Sequence, residues 1–218
     1  EQIKNQQLSN AETSIQLLNE NISAVIEPKL NDAAQLAAIT SSMSEQQAIR
    51  QMLAEYLTMH PEASITFVGL TSGEMIREPF YEYDSSYDPR ERVWYKQAMA
   101  SNETIITAPY ISSSSGELVI TIAHKLADNA GVYGIDMSIE MLKEIANSVS
   151  IGEQGFITLL DEAQAYISKP DTESATPATE SYINEIYAAP NGLLEEKEEL
   201  IAFTTNTATN WKVIGTMP

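Results

Sequence analysis

The residues best suited to chemistry lie in one stretch near the middle of the chain, between Tyr87 and Tyr110. It contains Arg92, Trp94 and Tyr95, although aromatic residues make up only 7% of the sequence. Arginine presents a planar fork of hydrogen-bond donors that matches a carboxylate. Tryptophan and tyrosine offer apolar walls with a polar tip. These residue types together favour the binding of a small carboxylate or a small zwitterion.

A zwitterion also needs an anionic partner for its ammonium group, and Asp136, near the end of a predicted strand, is the candidate. If the helix that carries Arg92 covers one face of the sheet, the two charges converge on one pocket. We then assign three residues to a carboxylate, Tyr87, Arg92 and Trp94, and three to an ammonium group, Tyr95, Tyr110 and Asp136. The alternative is that Arg92 pairs with a neighbouring glutamate and that the aromatic residues belong to the core.

The local sequence predicts that Arg92 lies on a helix that begins with Asp88 as its N-cap and runs to about residue 100. On such a helix Arg92 and Tyr95 are three residues apart and share a face. Trp94 lies about 200° around the helix from Arg92. Its ring therefore either wraps back towards the pocket or packs in the core.

Composition excludes several classes of partner. The chain has 218 residues, a formal net charge of −19 and no cysteine. So acidic a surface argues against nucleic acid and anionic lipid as direct partners. The lack of cysteine excludes disulfides, cysteine-based zinc sites and thiol catalysis.

Catalysis has little support in the sequence, and we expect no enzyme, no cofactor and no metal site. His60 and His124 are the only histidines, and the zinc-protease, nucleophile-elbow, P-loop and dinucleotide motifs are missing. The acidic run at residues 195–199 could suggest calcium, but it lacks the regular spacing of oxygen ligands. It favours a solvated face.

Residues 1 to about 58 show helical periodicity and contain no glycine. Pro28 should kink or interrupt the helix, and the serine and threonine residues at 40–44 predict a break with a new N-cap near Ser44. A helix of about 40 residues is about 60 Å long at 1.5 Å per residue. Because that exceeds a compact domain, we interpret residues 1–59 as a spine helix.

Strand and turn patterns follow the spine. Residues 60–138 predict an antiparallel sheet of about five strands with the Arg92 helix inserted. Residues 151–218 repeat the theme in shorter form, after a helix that ends at about residue 148. The predicted fold class is therefore α+β, with two small sheets carried on one long helix.

One motif, Asp88-Pro89-Arg90-x-Arg92-x-Trp94-Tyr95-x-x-Ala98, resembles the hallmark of the double Cache (dCache_1) domains. Residues 108–110, 115–122 and 134–138 continue the resemblance in order and spacing. These domains are extracytoplasmic sensor modules of bacterial chemoreceptors, sensor kinases and cyclic-dinucleotide enzymes. The resemblance implies two PAS-like antiparallel-sheet modules, a membrane-distal ligand-binding module at 60–148 and a membrane-proximal module at 149–218.

Within this family the chain resembles the subgroup that binds amino acids. The resemblance implies contacts with the α-carboxylate of a free L-amino acid from Tyr87, Arg92 and Trp94, and with its α-amino group from Tyr95 and Asp136, with Tyr110 nearby. Ser112, also expected at the site, stands where many relatives have aspartate. This departure weakens the ammonium pocket or alters the side-chain preference. Phe67 occupies an aromatic position that is often tyrosine, which removes one hydroxyl.

The expected protein is thus the periplasmic part of an inner-membrane chemoreceptor that binds its ligand without turnover. No apolar run approaches the roughly 18 residues needed to span a membrane, so we expect the anchoring segments to lie in the rest of a longer protein. We expect a homodimer formed through the long helix. An organic acid or amine ligand, and a sensor histidine kinase or cyclic-dinucleotide output module, remain open alternatives.

Overall fold

The computed structural model describes residues 2–218, and over these residues the chain forms five α-helices and eleven strands. The helices are α1 (Gln2–Ser41), α2 (Gln46–Met59), α3 (Val93–Met99), α4 (Ile139–Asn147) and α5 (Ile183–Ala188). The strands are β1 (Ile65–Leu70), β2 (Met75–Glu78), β3 (Ile105–Ile106), β4 (Tyr110–Ile111), β5 (Leu118–Lys125), β6 (Gly131–Ser138), β7 (Phe156–Leu160), β8 (Tyr166–Ser168), β9 (Asn191–Glu196), β10 (Glu199–Thr205) and β11 (Lys212–Met217). The α+β class with a long N-terminal helix and two antiparallel sheets is confirmed.

The chain divides into two compact units. One consists of residues 2–26 with Ile139–Pro218, and the other is the continuous segment Glu27–Ser138. Each unit contains one antiparallel sheet. Residues 2–26 of α1 belong to one unit and residues 27–41 to the other, so the two parts of the helix contribute to different cores.

The long helix is uninterrupted, and the predicted interruption at Pro28 is wrong. Proline has a backbone angle suited to a helix but no N–H to donate to the carbonyl four residues earlier, that of Ala24. Both residues are exposed, so water can bond that carbonyl and the helix continues. The predicted break between α1 and α2 is confirmed, with Glu45 rather than Ser44 as the N-cap of α2.

One position in the buried stripe of α1 is a lysine. Lys29 is only 2% exposed and forms an ion pair with Glu62, just before β1. A buried charge without a partner costs several kcal/mol, so this pair fixes α1 against the start of the sheet. The Tyr56 hydroxyl of α2 donates to Asp32 of α1 at 2.8 Å and ties the two helices together.

The sheet of the Glu27–Ser138 unit has the strand order β2-β1-β6-β5-β3, and β4 also pairs with β5. Residues 105–111 form two short strands, β3 and β4, and both pair with β5. Between them Pro109 has no N–H to contribute, while the N–H of Thr107 donates to the carbonyl of Thr121 at 2.9 Å. The register on β5 shifts by one residue from β3 to β4, which brings Tyr110 beside Val119.

The second sheet has the order β8-β7-β11-β10-β9, and its edge strand β9 was not predicted. β9 alternates exposed and half-buried residues and pairs with β10 through a turn in which Lys197 and Glu198 have φ values of 49° and 73°. The acidic run at 195–199 is therefore an edge hairpin. Charges on an edge strand oppose pairing with other chains.

The two faces of the first sheet have different partners. Thr66 of β1 points to α2 and donates to the carbonyl of Leu53 at 3.3 Å. Its neighbours Ile65 and Phe67 point to the other face, where they pack with Trp94 and other residues of α3. The α3 face is the one that carries the candidate site.

Two glycines let aromatic rings lie directly on the α3 face. A Cβ added at Gly134 would lie 2.4 Å from the ring of Phe67, and one added at Gly69 would lie 2.8 Å from the ring of Trp94. The two rings contact each other, with 4.6 Å between their centroids. The glycines therefore provide the recess in which these aromatic side chains sit.

We predict that Gly134→Ala lowers the free energy of unfolding by about 1–3 kcal/mol, because the new methyl group displaces the Phe67 ring. Urea unfolding measures this change. Phe67→Leu frees the same volume, so the double variant should lose less stability than the two single variants together. Strictly additive losses would show that the two residues do not compete for space.

Candidate ligand-binding site

The segment that carries Arg92 is not one helix, and this prediction is wrong. Asp88 caps a single 3₁₀ turn, Pro89–Glu91, by accepting from the N–H of Arg90 at 2.9 Å. Arg92 then has extended backbone angles, φ −79° and ψ 148°, and α3 begins only at Val93. Arg92 and Tyr95 therefore do not share a helix face.

The extended backbone at Arg92 lets both Arg92 and Trp94 reach one cavity. The cavity leaves ≈ 20 Å³ for the centres of water-sized molecules, within ≈ 270 Å³ of empty space that includes open solvent. Its lining consists of Phe67, Met75, Tyr83, Tyr87, Arg92, Trp94, Tyr110, Ser112, Ser113, Ser114 and Asp136. This is room for about one water molecule, so a larger ligand requires the lining side chains to move apart.

Six of the seven predicted site residues line this cavity, and Tyr95 does not. Tyr95 is buried in the core with Ile65 and Ala98, and its ring lies 5.8 Å from that of Trp94 in an edge-on arrangement. Tyr95 thus lies behind the cavity wall. It contacts Trp94, which lines the cavity, and not the cavity itself.

Arg92 is half-buried and faces an aromatic wall. Its guanidinium carbon lies 5.6 Å from the centroid of the Tyr87 ring. Arg92 forms no ion pair within residues 2–218. The neighbouring Glu91 pairs with Lys96 at 2.8 Å. Arg92 therefore does not pair with a neighbouring glutamate, which was the alternative. Its guanidinium can donate hydrogen bonds to a carboxylate from outside the chain.

Asp136 supplies the opposite charge and is only 4% exposed. Its Oδ1 accepts from the Thr121 hydroxyl at 2.6 Å. That hydroxyl lies 2.5 Å from the Tyr110 hydroxyl, and because the one hydrogen of Thr121 goes to Asp136, Tyr110 donates to Thr121. The three residues form a short hydrogen-bonded chain that fixes the carboxyl group.

Burial at the cavity raises the pKa values of three of its polar groups. Burial raises the pKa of the Asp136 carboxyl to about 7, although the hydrogen bond from Thr121 and the positive charge of Arg77 both lower it. Burial also raises the pKa of the Tyr87 and Tyr110 hydroxyls. Both hydroxyls are therefore protonated donors at neutral pH, while Asp136 exchanges its proton near neutrality.

Ser112 is buried at the cavity, and its loop is closed by backbone hydrogen bonds. Its N–H donates to the carbonyl of Glu117 at 2.8 Å, and its carbonyl accepts from Gly116 at 2.9 Å. The Ser112 and Ser114 hydroxyls lie 3.3 Å apart. This part of the wall offers hydroxyl groups and no charge.

Sequence reasoning missed Met75 and Tyr83 as lining residues. Met75 lies in β2, opposite Gly69 of β1, and alternation along β1 places Gly69 on the face of Phe67, so the pattern could have found Met75. Tyr83 lies in the irregular segment between β2 and the 3₁₀ turn, where no periodicity exists. Its ring stacks on Tyr87 with 4.1 Å between centroids.

The Tyr83–Tyr87 stack separates the cavity from an adjoining wider one. The second cavity encloses ≈ 710 Å³ of empty space that includes open solvent, and it shares Tyr83, Tyr87, Arg92 and Ser113 with the first. Its lining also contains Asp84, Asp88 and Glu91, of which Asp88 pairs with Arg90 and Glu91 with Lys96. We interpret it as the approach to the inner cavity.

A family model described as a Cache domain matches residues 1–218. The chain belongs to the Cache domain family. The resemblance inferred from the motif around Arg92 is thereby confirmed, and it covers both sheets and the long helix.

Curated relatives of this Cache domain are methyl-accepting chemotaxis proteins. A probable methyl-accepting chemotaxis protein of Bacillus thuringiensis subsp. konkukian is 34% identical over 97% of this chain and 33% of its own length. McpA of Bacillus subtilis is 29% identical over 97% of this chain and 33% of its own length. The chain thus spans about a third of the length of these relatives.

Solved structures share the fold of this Cache domain. The ligand-binding domain of the Pseudomonas fluorescens chemoreceptor CtaA in complex with L-isoleucine has a TM-score of 0.79 and 20% identity, over 99% of this chain and 93% of that chain. The ligand-binding domain of the Pseudomonas aeruginosa PAO1 amino acid chemoreceptor PctB in complex with L-Gln has a TM-score of 0.77 and 20% identity, over 94% and 88%. At this identity the likeness shows the fold.

No helix within residues 2–218 is both long and apolar enough to cross a membrane. No group of three or more histidine, cysteine or acidic residues in the same range is arranged to hold a metal ion.

We predict that Asp136 destabilises the ligand-free protein as pH rises from about 4 to about 7. In this window the carboxyl ionises in the unfolded chain, whose pKa is 3.8, while burial keeps the folded one protonated up to about 7. Asp136→Asn removes this effect, so its stability advantage over the wild type should grow with pH across the window. Urea unfolding of both proteins at a series of pH values tests this, and an advantage that is constant with pH would contradict it.

Proposed function

We propose that this chain is the extracytoplasmic ligand-binding region of a methyl-accepting chemotaxis receptor and that its α3-face cavity binds a free L-amino acid. One observation carries the ligand class. A half-buried arginine and a buried aspartate line the same small cavity, and neither forms an ion pair with a described residue. Chemotaxis relatives and amino-acid-bound structural neighbours support the proposal.

The carboxylate of the ligand binds at Arg92. The guanidinium offers two parallel N–H donors to one carboxylate, and the Tyr87 hydroxyl, which burial keeps protonated, is a further donor. The Trp94 indole closes the apolar side of this subsite. Tyr95, which lies in the core, acts by supporting Trp94.

The ammonium group binds at Asp136. Thr121 and Tyr110 hold the carboxyl in place, so little conformational freedom is lost when the ligand arrives. A cation beside Asp136 favours its ionised form. Ligand binding near neutral pH therefore drives a proton off Asp136. Ser112 adds a neutral hydroxyl where an acid would have strengthened this end.

The function is binding without turnover, in a receptor that extends beyond this chain. We propose that residues 60–148 form the membrane-distal module, 149–218 the membrane-proximal module and 1–59 the spine, on the outer side of the cytoplasmic membrane. Homodimerisation through the long helix belongs to the same proposal. Signalling then requires that the ligand bind one receptor state more tightly than another.

We predict that Arg92→Ala weakens L-amino acid binding at least about tenfold. Charge-assisted hydrogen bonds are worth about 1.5–3 kcal/mol each, and about 1.4 kcal/mol corresponds to tenfold in affinity. Calorimetric titration of the chain with the twenty L-amino acids measures the effect. Binding of organic acids or amines in place of amino acids would show that the ligand class is wrong.

Lys96→Ala is the matched control for this loss of charge. Lys96 is an exposed cation on α3, four residues from Arg92, and it pairs with Glu91 rather than with the cavity. Its removal should leave the affinity unchanged. An equal loss in both variants would mean that Arg92 acts only through the overall charge.

We predict that affinity falls about tenfold per pH unit below pH 7, because the ammonium group needs the ionised form of Asp136, whose pKa is about 7. Titrations at pH 6 and pH 8 measure the slope. Binding at pH 7 should also release protons, so the observed heat depends on the ionisation enthalpy of the buffer. Asp136→Asn should bind weakly and without this pH dependence, and a wild type with flat affinity would exclude the assigned role.

A further inference from the structure

A second arginine lies beside the cavity without an acidic partner. Arg77 of β2 is only 7% exposed. Its position pairs with Phe67 of β1, and it lies two residues after Met75 on the same side of the strand. Both Phe67 and Met75 line the cavity, so Arg77 belongs to the α3 face.

The guanidinium of Arg77 faces two aromatic rings and retains an unused donor. Its central carbon lies 4.9 Å from the ring centroid of Tyr81 and 5.9 Å from that of Tyr83, which lines the cavity. Its buried Nε has no hydrogen-bond partner in the described part of the chain. Of the other buried or half-buried Lys and Arg residues of this unit, Lys29 pairs with Glu62 and Arg50 with Glu78, whereas Arg92 and Lys125 form no ion pair with a described residue.

An unpaired buried charge is costly, and ring contacts offset only part of the cost. Burying a charge costs several kcal/mol after relaxation, whereas a cation–π contact contributes about 0.5–2 kcal/mol. The described residues supply no ion-pair partner for Arg77. Arg77 shares a strand face with Phe67 of the cavity lining and its guanidinium lies over the ring of Tyr83, another lining residue, so a ligand in the cavity is the available source of an anion.

A count of charges identifies the ligand class. Arg92 and Arg77 contribute two positive charges, and Asp136 contributes one negative charge when ionised. Asp88 and Glu91 of the adjoining cavity are cancelled by Arg90 and Lys96, and Asp84, the third acidic residue there, is exposed and screened by solvent. A neutral amino acid leaves one positive charge, and a basic one leaves two. An amino acid with a side-chain carboxylate brings the sum to zero.

We propose, on the basis of the function proposed above, that Arg77 is a specificity-determining residue that binds the side-chain carboxylate of an acidic L-amino acid. The α-carboxylate then lies at Arg92, the ammonium group at Asp136 and the second carboxylate at Arg77. Tyr83 stands between the cavity and Arg77, so its ring moves aside as the side chain enters. The amide oxygen of L-glutamine fits the same donor less strongly, because it carries no charge.

Calorimetry tests this with ligands of matched shape. L-Aspartate and L-glutamate are compared with L-alanine and with L-norvaline, whose side chain has the length of three carbons but no carboxylate. The wild type should bind the acidic ligands at least about tenfold more tightly than the neutral ones. Arg77→Met, which keeps the length of the side chain and removes the charge, should abolish this preference, so that the variant binds L-glutamate and L-norvaline with affinities within about twofold of each other.

The controls separate selectivity from folding. Arg77→Met relieves an unpaired buried charge, so its free energy of unfolding should equal or exceed that of the wild type, and Lys96→Met should keep the preference. Equal or tighter binding of neutral amino acids by the wild type, with dependence on Arg92, would overturn the role of Arg77 and leave the proposed function intact. Equal weakening of all ligands in Arg77→Met would also overturn it. Failure of every amino acid to bind would overturn the proposed function itself.

Discussion

The contact of aromatic rings with bare backbone on the α3 face is the constraint on which the binding site depends. Gly69 and Gly134 leave room for Trp94 and Phe67 to lie flat on the strands, and this contact fixes where α3 begins. Arg92 precedes α3 by one residue in an extended conformation, so its direction is set by the packing of Trp94. The position of the charged group thus follows from an apolar contact, which is rigid because cores are densely packed.

Two buried ionisable residues on the same face lower the stability of the fold. Asp136 and Arg77 are both buried there and form no ion pair with each other, although the charge of Arg77 lowers the pKa of Asp136. An interior made for stability alone would pair these groups or replace them with apolar residues. Their retention is typical of a site that gives up stability for function. A charged ligand recovers that stability, which makes binding energy available for a conformational change.

Much of the architecture could be predicted from the sequence, because helical periodicity, strand alternation and the Asp88–Trp94 motif are local signals. The helix predicted from Asp88 failed because an N-cap followed by proline is equally compatible with one 3₁₀ turn. Strand β9 was missed because its glutamates hide the alternation of an edge strand. Tyr83 and Arg77 gave no signal, since one lies in an irregular segment and the other is a single arginine in a short strand. Only tertiary structure shows that Arg77 has no acid.

On the proposed role of Arg77, the segment between β2 and the 3₁₀ turn connects ligand binding to conformation. Its aromatic residues are held by cations, Phe80 by Arg50 and Tyr81 and Tyr83 by Arg77, and not by a strand ladder. A ligand carboxylate at Arg77 competes with those rings for the same guanidinium, so binding and the position of the segment are coupled. A ligand shifts the populations of two states only if its contacts differ between them. The exchange of aromatic rings for a ligand carboxylate at Arg77 provides such a difference, and with it the difference in ligand affinity that a receptor requires.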